Sequence, residues 1–100
     1  MNIQIRGIGI QGTEAIAAHV ERRLAFALSR FSSHLDRILV RFSDLNGPKG
    51  GPDKVCQLDF QVRGAGTATV EARDADLYAA VDLAAAKAGR RVARLLDRRR

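Results

Sequence analysis

Leu77, Val81, Ala84, Ala88, Val92 and Leu95 recur at spacings of four, three, four, four and three, which places them on one face of an α-helix. A helix this long with a single apolar stripe needs a matching apolar surface to cover that stripe. The rest of the chain must therefore supply one. Asp74 and Asp76 stand where an N-cap and a favourable charge at the positive end of the helix dipole belong, and cations crowd the opposite end. At 100° per residue Lys87, Arg91, Arg94 and Arg98 form a narrow stripe beside the apolar face, with Arg90 on its other side.

The charge is concentrated in that terminal stretch. Residues 1–86 hold ten Lys or Arg and ten Asp or Glu, so the whole formal net charge of +6 comes from residues 87–100. Helix C-termini attract Arg through the dipole, and 14 Arg against 3 Lys fits the coding bias of a GC-rich genome. The bias explains Arg over Lys but not why the excess sits in one place. A local cationic surface calls for a polyanionic partner, nucleic acid or an acidic membrane surface.

One hundred residues with a 46% hydrophobic fraction suffice for one domain, 1–100, with its own core. The single Cys excludes an internal disulfide framework, and Cys56, His19 and His34 show no metal-ligand spacing, so no metal or cofactor is expected. No apolar run spans a bilayer, and the N-terminus lacks the basic and apolar regions of a signal peptide. The expected compartment is cytoplasmic.

Ile3 and Ile5 alternate with Gln4 and Arg6 in a first strand over Asn2 to Ile8. Gly7, Gly9 and Gly12 match the spacing of a dinucleotide-binding loop. The acidic residue such a loop requires is misplaced, however, since Asp36 precedes the next strand and Asp44 comes too late, and the chain is too short for a doubly wound sheet, so these glycines read as turn punctuation. Thr13 is positioned to cap a helix from Glu14 to about Ser32, whose apolar stripe is Ile16, Val20, Leu24, Ala27, Leu28 and Phe31. His19, Arg23, Phe26 and Arg30 flank that stripe, and Arg22 points away. Both histidines read as ordinary boundary or surface residues.

Arg37 to Asp44 alternates as a second strand, with Ile38, Val40 and Phe42 inward. Leu45 to Lys54, with Gly47, Pro48, Gly50, Gly51 and Pro52 in close succession, ends all periodicity and reads as a long mobile loop; it lacks the Gly-Lys-Ser/Thr of a phosphate-binding loop. Val55 to Arg63 is a third strand with Cys56, Leu58, Phe60 and Val62 inward, making Cys56 a buried structural residue. Gly64-Ala65-Gly66 forms a tight hairpin, and Thr67 to Arg73 a fourth strand with Ala68, Val70 and Ala72 inward.

The expected fold is α+β in the order β-α-β-β-β-α. Its four-stranded sheet has the first two strands parallel and the rest antiparallel, with both helices on one face. The other face carries no aromatic residue, which disfavours a base-stacking sheet platform. No nucleophile with a base, paired carboxylates or metal cluster stands out, so an enzyme with a small-molecule substrate is not expected.

In this order the chain resembles the ribosome hibernation promoting factor family, also called RaiA or sigma-modulation proteins. The resemblance runs from end to end. Its most specific parts are Thr13-Glu14-Ala15-Ile16 and Asp76-Leu77-Tyr78-Ala79-Ala80-Val81-Asp82, the latter similar to the family's acidic-apolar-Tyr-x-Ala-Ile-Asp/Asn run. The resemblance implies a double-stranded-RNA-binding-like (dsRBD-like) fold and a monomer that binds small-subunit ribosomal RNA. It also implies occupancy of the tRNA and mRNA channel, which inhibits translation in idle ribosomes. Lys87, Arg90 and Arg94, with Arg23 and Arg30, fall at basic positions of the family, and the charge stripe adds Arg91 and Arg98 as RNA-binding candidates. The chain departs from the family at Phe26, where members often carry lysine, and in the longer Gly/Pro-rich loop. It also lacks the C-terminal dimerisation domain of long members, so it is not expected to join two ribosomes. A structured-RNA-binding module acting outside the ribosome and a protein-interaction module are the alternatives.

Overall fold

The computed structural model describes residues 1–7, 13–44 and 53–98. Four strands, β1 (Asn2–Gly7), β2 (Leu35–Asp44), β3 (Lys54–Val62) and β4 (Gly66–Asp74), stand in sequence order across one sheet. β1 runs parallel to β2, and the other pairs are antiparallel. A parallel neighbour requires a crossover, supplied here by α1 (Thr13–Leu28); α2 (Leu77–Arg98) follows β4. This is the α+β order expected from the sequence.

The register shows why strict alternation was legible. Ile3, Ile38, Phe60 and Ala68 line up as one row across all four strands; Ile5, Val40, Leu58 and Val70 form the next, and Gly7, Phe42, Cys56 and Ala72 a third. Because side chains on a strand point alternately to opposite faces, all three rows share one face. Ile16, Val20, Leu24 and Leu28 of α1 and Val81, Ala84, Ala88 and Val92 of α2 belong to the same buried cluster as these rows, so both helices cover that face. Ile3, Ile5 and Val70, expected in the core, are half-buried at its margins.

Three boundaries differ from the sequence reading, each for a local reason. The α-helix stops at Leu28, and Ser29–His34 continues as 3-10 turns; Ser29, Ser32 and Ser33 have hydroxyls that compete for the backbone and weaken helix propagation. β2 starts two residues early, with a bulge that sets Asp36 and Arg37 together between the Leu35–Val62 and Ile38–Phe60 pairs. The extra residue returns Leu35 to the core face, where it is 1% exposed. The expected loop ends sooner than Lys54, since Lys54 opens β3 and Asp53 is buried. The remainder of that loop, the Gly9–Gly12 turn and the side chain of Thr13 lie outside the described residues.

At the hairpin, Ala65 N–H donates to Val62 O at 2.9 Å, and Gly64 has φ +77°. A positive φ at the third position of a four-residue turn is the signature of type II and excludes most side chains. At the start of α2, Asp76 Oδ1 accepts from Tyr78 N–H at 3.0 Å, so of the two acids expected at this helix end Asp76 is the one that caps it. Asp74 Oδ1 accepts from Asp76 N–H at 2.9 Å and shapes the turn before it.

The helices approach each other closely at Gly89, where a Cβ would stand 3.3 Å from the carbonyl oxygen of Ala27. Replacing Gly89 with Leu is expected to lower stability by about 1–3 kcal/mol in denaturant melts despite the better helix propensity, because a backbone carbonyl cannot fold aside to make room. Cys56 is fully buried, and burial raises its thiol from 9.0 to about 12. Below pH 9 native and unfolded states bind the same proton. Above it the unfolded thiol ionises first, so stability should fall by up to about 1.4 kcal/mol per pH unit. A pH series of melts comparing the wild type with Cys56→Ala checks this, because the variant should lack that part of the slope.

Candidate nucleic-acid interface

The expected cations come from two helices that the core seam places side by side. Arg23 and Arg30 of α1 and its 3-10 extension line one side of a groove of about 410 Å³, and Arg90 of α2 lines the other. A second groove of about 360 Å³, between α2 and β4, is lined by Lys87, Arg90, Arg91 and Arg94 together with Val70 and Glu71. Arg90 belongs to both. The two grooves therefore form one cationic surface rather than two separate patches. Arg98 lies apart, with Leu95 beside the Gly64–Gly66 turn, and lines neither groove.

The partners of these cations decide how much charge is available. Arg30, Arg90, Arg91 and Arg94 make no ion pair within the protein among the described residues. Lys87 donates to the main-chain carbonyl of Glu71 at 2.7 Å, which fixes its ammonium beside β4 without neutralising it. Arg23 Nε lies 3.1 Å from Asp82 Oδ1. Its N–H does not point at that oxygen and has no hydrogen-bond partner, so the contact is an ion pair and not a hydrogen bond.

Asp82 is the residue that sequence reasoning missed. Its Oδ1 accepts from His19 Nε2–H at 2.7 Å as well as attracting Arg23, and the His19 ring sits edge-on to Tyr78 at 4.9 Å between centroids. His19 is thus a tether between the helices. The i, i+4 spacing of His19 and Arg23 beside the apolar stripe was the available signal, since a carboxylate facing that pair would join the helices.

The acids of the sheet strands are engaged. On the outer face of the sheet Asp59 accepts from Thr69 Oγ1 at 2.7 Å and from Gln57 Nε2 at 3.2 Å, and Arg63 pairs with Asp36 at 2.6 Å. A larger concavity of about 530 Å³ opens there, but Asp36 and Asp59 line it together with Arg6 and Arg37. That mixture of signs suits an anionic partner less than the helical surface does. At one end of the sheet Lys54 bridges Asp44 at 2.6 Å and the buried Asp53 at 3.5 Å. The hydrogen bond to Asp44 raises the lysine's pKa above its ordinary value, against the opposing pull of burial. No helix among the described residues is long and apolar enough to cross a membrane, and no cluster of metal-ligating side chains occurs among them.

Asp82→Asn keeps the shape of the tether and removes its charge. The variant should lose about 1 kcal/mol of stability at most, because the pair is partly solvated. It should also elute from heparin at higher salt than the wild type, because Arg23 is released. Unchanged or earlier elution would show that Arg23 does not belong to the anion-binding surface.

Comparison with known proteins places this geometry. A family model described as sigma 54 modulation protein / S30EA ribosomal protein matches residues 3–100. The crystal structure of the Thermus thermophilus protein Y N-terminal domain is 33% identical, with a TM-score of 0.75 over 94% of this chain and 98% of that one. A ribosomal subunit interface protein from Coxiella burnetii shares the fold at 22% identity and a TM-score of 0.78, over 97% of this chain and 99% of that one. No curated protein sequence matches. With a family match spanning nearly every residue and a solved relative that superposes over most of the chain, this protein belongs to the sigma 54 modulation protein / S30EA ribosomal protein family.

Proposed function

We propose that this chain binds small-subunit ribosomal RNA through the joined surface of α1 and α2, occupies the tRNA and mRNA channel, and so keeps idle ribosomes from translating. The observation that carries this reading is the convergence of Arg23 and Arg30 with Arg90, and of Arg90 with Lys87, Arg91 and Arg94, on two adjoining grooves. Family membership supports the ribosome as the target. Cations held on two packed helices are spaced by the helices themselves, so little side-chain order must be acquired to grip a phosphate backbone.

The binding step needs no chemistry beyond electrostatics. Each phosphate that meets an arginine releases condensed counterions, and neutralising about six phosphates would cost roughly a thousandfold in affinity between about 50 and 200 mM salt. Arg98, away from both grooves, would contribute at most to the long-range attraction. A rigid cationic body seated where tRNA and mRNA pass excludes them by volume, which is the inhibitory step.

Arg90→Glu combined with Arg94→Glu should abolish co-sedimentation with purified small subunits while leaving the melting curve nearly unchanged, because both residues are exposed. Arg22→Glu, exposed on α1 and lining neither groove, should have a much smaller effect. Wild-type co-sedimentation of the double variant would exclude the helical surface as the binding site.

A further inference from the structure

The groove between α1 and α2 has a feature that phosphate binding does not require. Phe26 is 81% exposed at its edge. A phenyl ring in solvent adds nothing to a grip on duplex phosphates, which needs only donors and positive charge. The floor beside it, made by Ala27, Ala85, Ala86 and Gly89, has no side chain longer than a methyl group. The cations Arg23, Arg30 and Arg90 stand around that floor, and the lining contains no acid. At about 410 Å³ the space is of small-ligand size, about 300–1,000 Å³.

We infer that this groove seats one unpaired nucleotide of the bound RNA, its base stacked on Phe26 and its flanking phosphates held by Arg23, Arg30 and Arg90. The inference rests on the proposed function for the identity of the RNA, but its chemistry stands on the groove itself. Unstacked bases in RNA are held by aromatic rings and arginine planes, and such stacking tolerates any base because every base has a π-face. Arg23 lies over the Phe26 ring with its guanidinium carbon 5.6 Å from the centroid, and Arg30 lies over Phe31 at 4.6 Å. These contacts hold two of the cations at the groove before any ligand arrives. The Ser29 hydroxyl adds a neutral donor and acceptor to the lining. A chain of carboxylates would satisfy the arginines but leave the ring and the flat floor uncovered, so charge and shape together favour a nucleotide over an acidic peptide.

The chain has no tryptophan, so Phe26→Trp places a single fluorescent reporter at the site. A short oligoadenylate should quench it, and an abasic sugar-phosphate chain of equal length should bind about tenfold more weakly and quench little. Phe26→Ala should weaken oligoadenylate binding about tenfold while leaving the slope against salt unchanged, because no phosphate contact is lost. Equal binding of the abasic chain, or an unchanged affinity in Phe26→Ala, would overturn the stacking role. Displacement of oligoadenylate by polyglutamate at equal charge concentration would overturn it in favour of an acidic peptide. Purified small subunits keep the two readings apart. If the wild type fails to co-sediment while oligoadenylate still quenches Phe26→Trp, the ribosomal assignment falls and the nucleotide groove stands. If co-sedimentation persists without quenching, the groove alone is refuted.

Discussion

The close approach of Gly89 to the Ala27 carbonyl leaves no room for a side chain between the two helices at that point. A helix can approach a neighbour this closely only where its surface is stripped to backbone and methyl groups. The α2 seam supplies that surface through Ala80, Ala84, Ala85 and Ala88, all buried. Beneath α2 the sheet answers in kind with Ala68 and Ala72 on β4. Small residues on both surfaces keep a 22-residue helix close to its supports along its length, and tight packing then preserves dispersion contacts that a gap would forfeit. The arginines on the flanks of that seam inherit its geometry. They converge because the alanines between them leave no room for separation.

Charge follows a comparable division between the two faces. On the outer face of the sheet, carboxylates and cations are interleaved, with Asp36 tied to Arg63 and Asp59 to Thr69 and Gln57. On the helical face Asp82 is committed to His19 and Arg23, and among the described residues no carboxylate pairs with Arg30, Arg90, Arg91 or Arg94. The field of the protein is therefore directional despite the modest net charge. A polyanion approaching from solution is oriented before it makes contact.

Much of this was legible in the sequence, because the two periods involved leave unambiguous traces. The rows beginning at Ile3 and Ile5 alternate without interruption, and the stripe from Leu77 to Leu95 keeps a helical period for five turns. What escaped was whatever breaks a period locally or depends on two distant segments. The bulge at Asp36 and Arg37 hides Leu35, since alternation counted backwards from Ile38 puts that residue on the correct face only if one extra residue is allowed. Three serines turned the end of α1 into 3-10 geometry. Asp82 meets His19 across 63 positions of sequence, so the i, i+4 pair on α1 marks one side of the contact but not its partner. The cations of the candidate interface could be named from the helical stripe, except that Arg98, on the same stripe, has already passed beyond the groove.

The parallel pairing of β1 with β2 carries a kinetic meaning. β2, β3 and β4 pair as consecutive antiparallel strands, whereas β1 reaches its place only after the chain has crossed over through α1. It is also an edge strand with no fully buried side chain, its isoleucines being half-covered. Elements with late, non-local pairing and little buried apolar area open at the lowest cost, and they open as units. The molecule thus has an internal order of release. β1 is accordingly the strand expected to open at the lowest cost while the rest of the sheet and α2 stay folded.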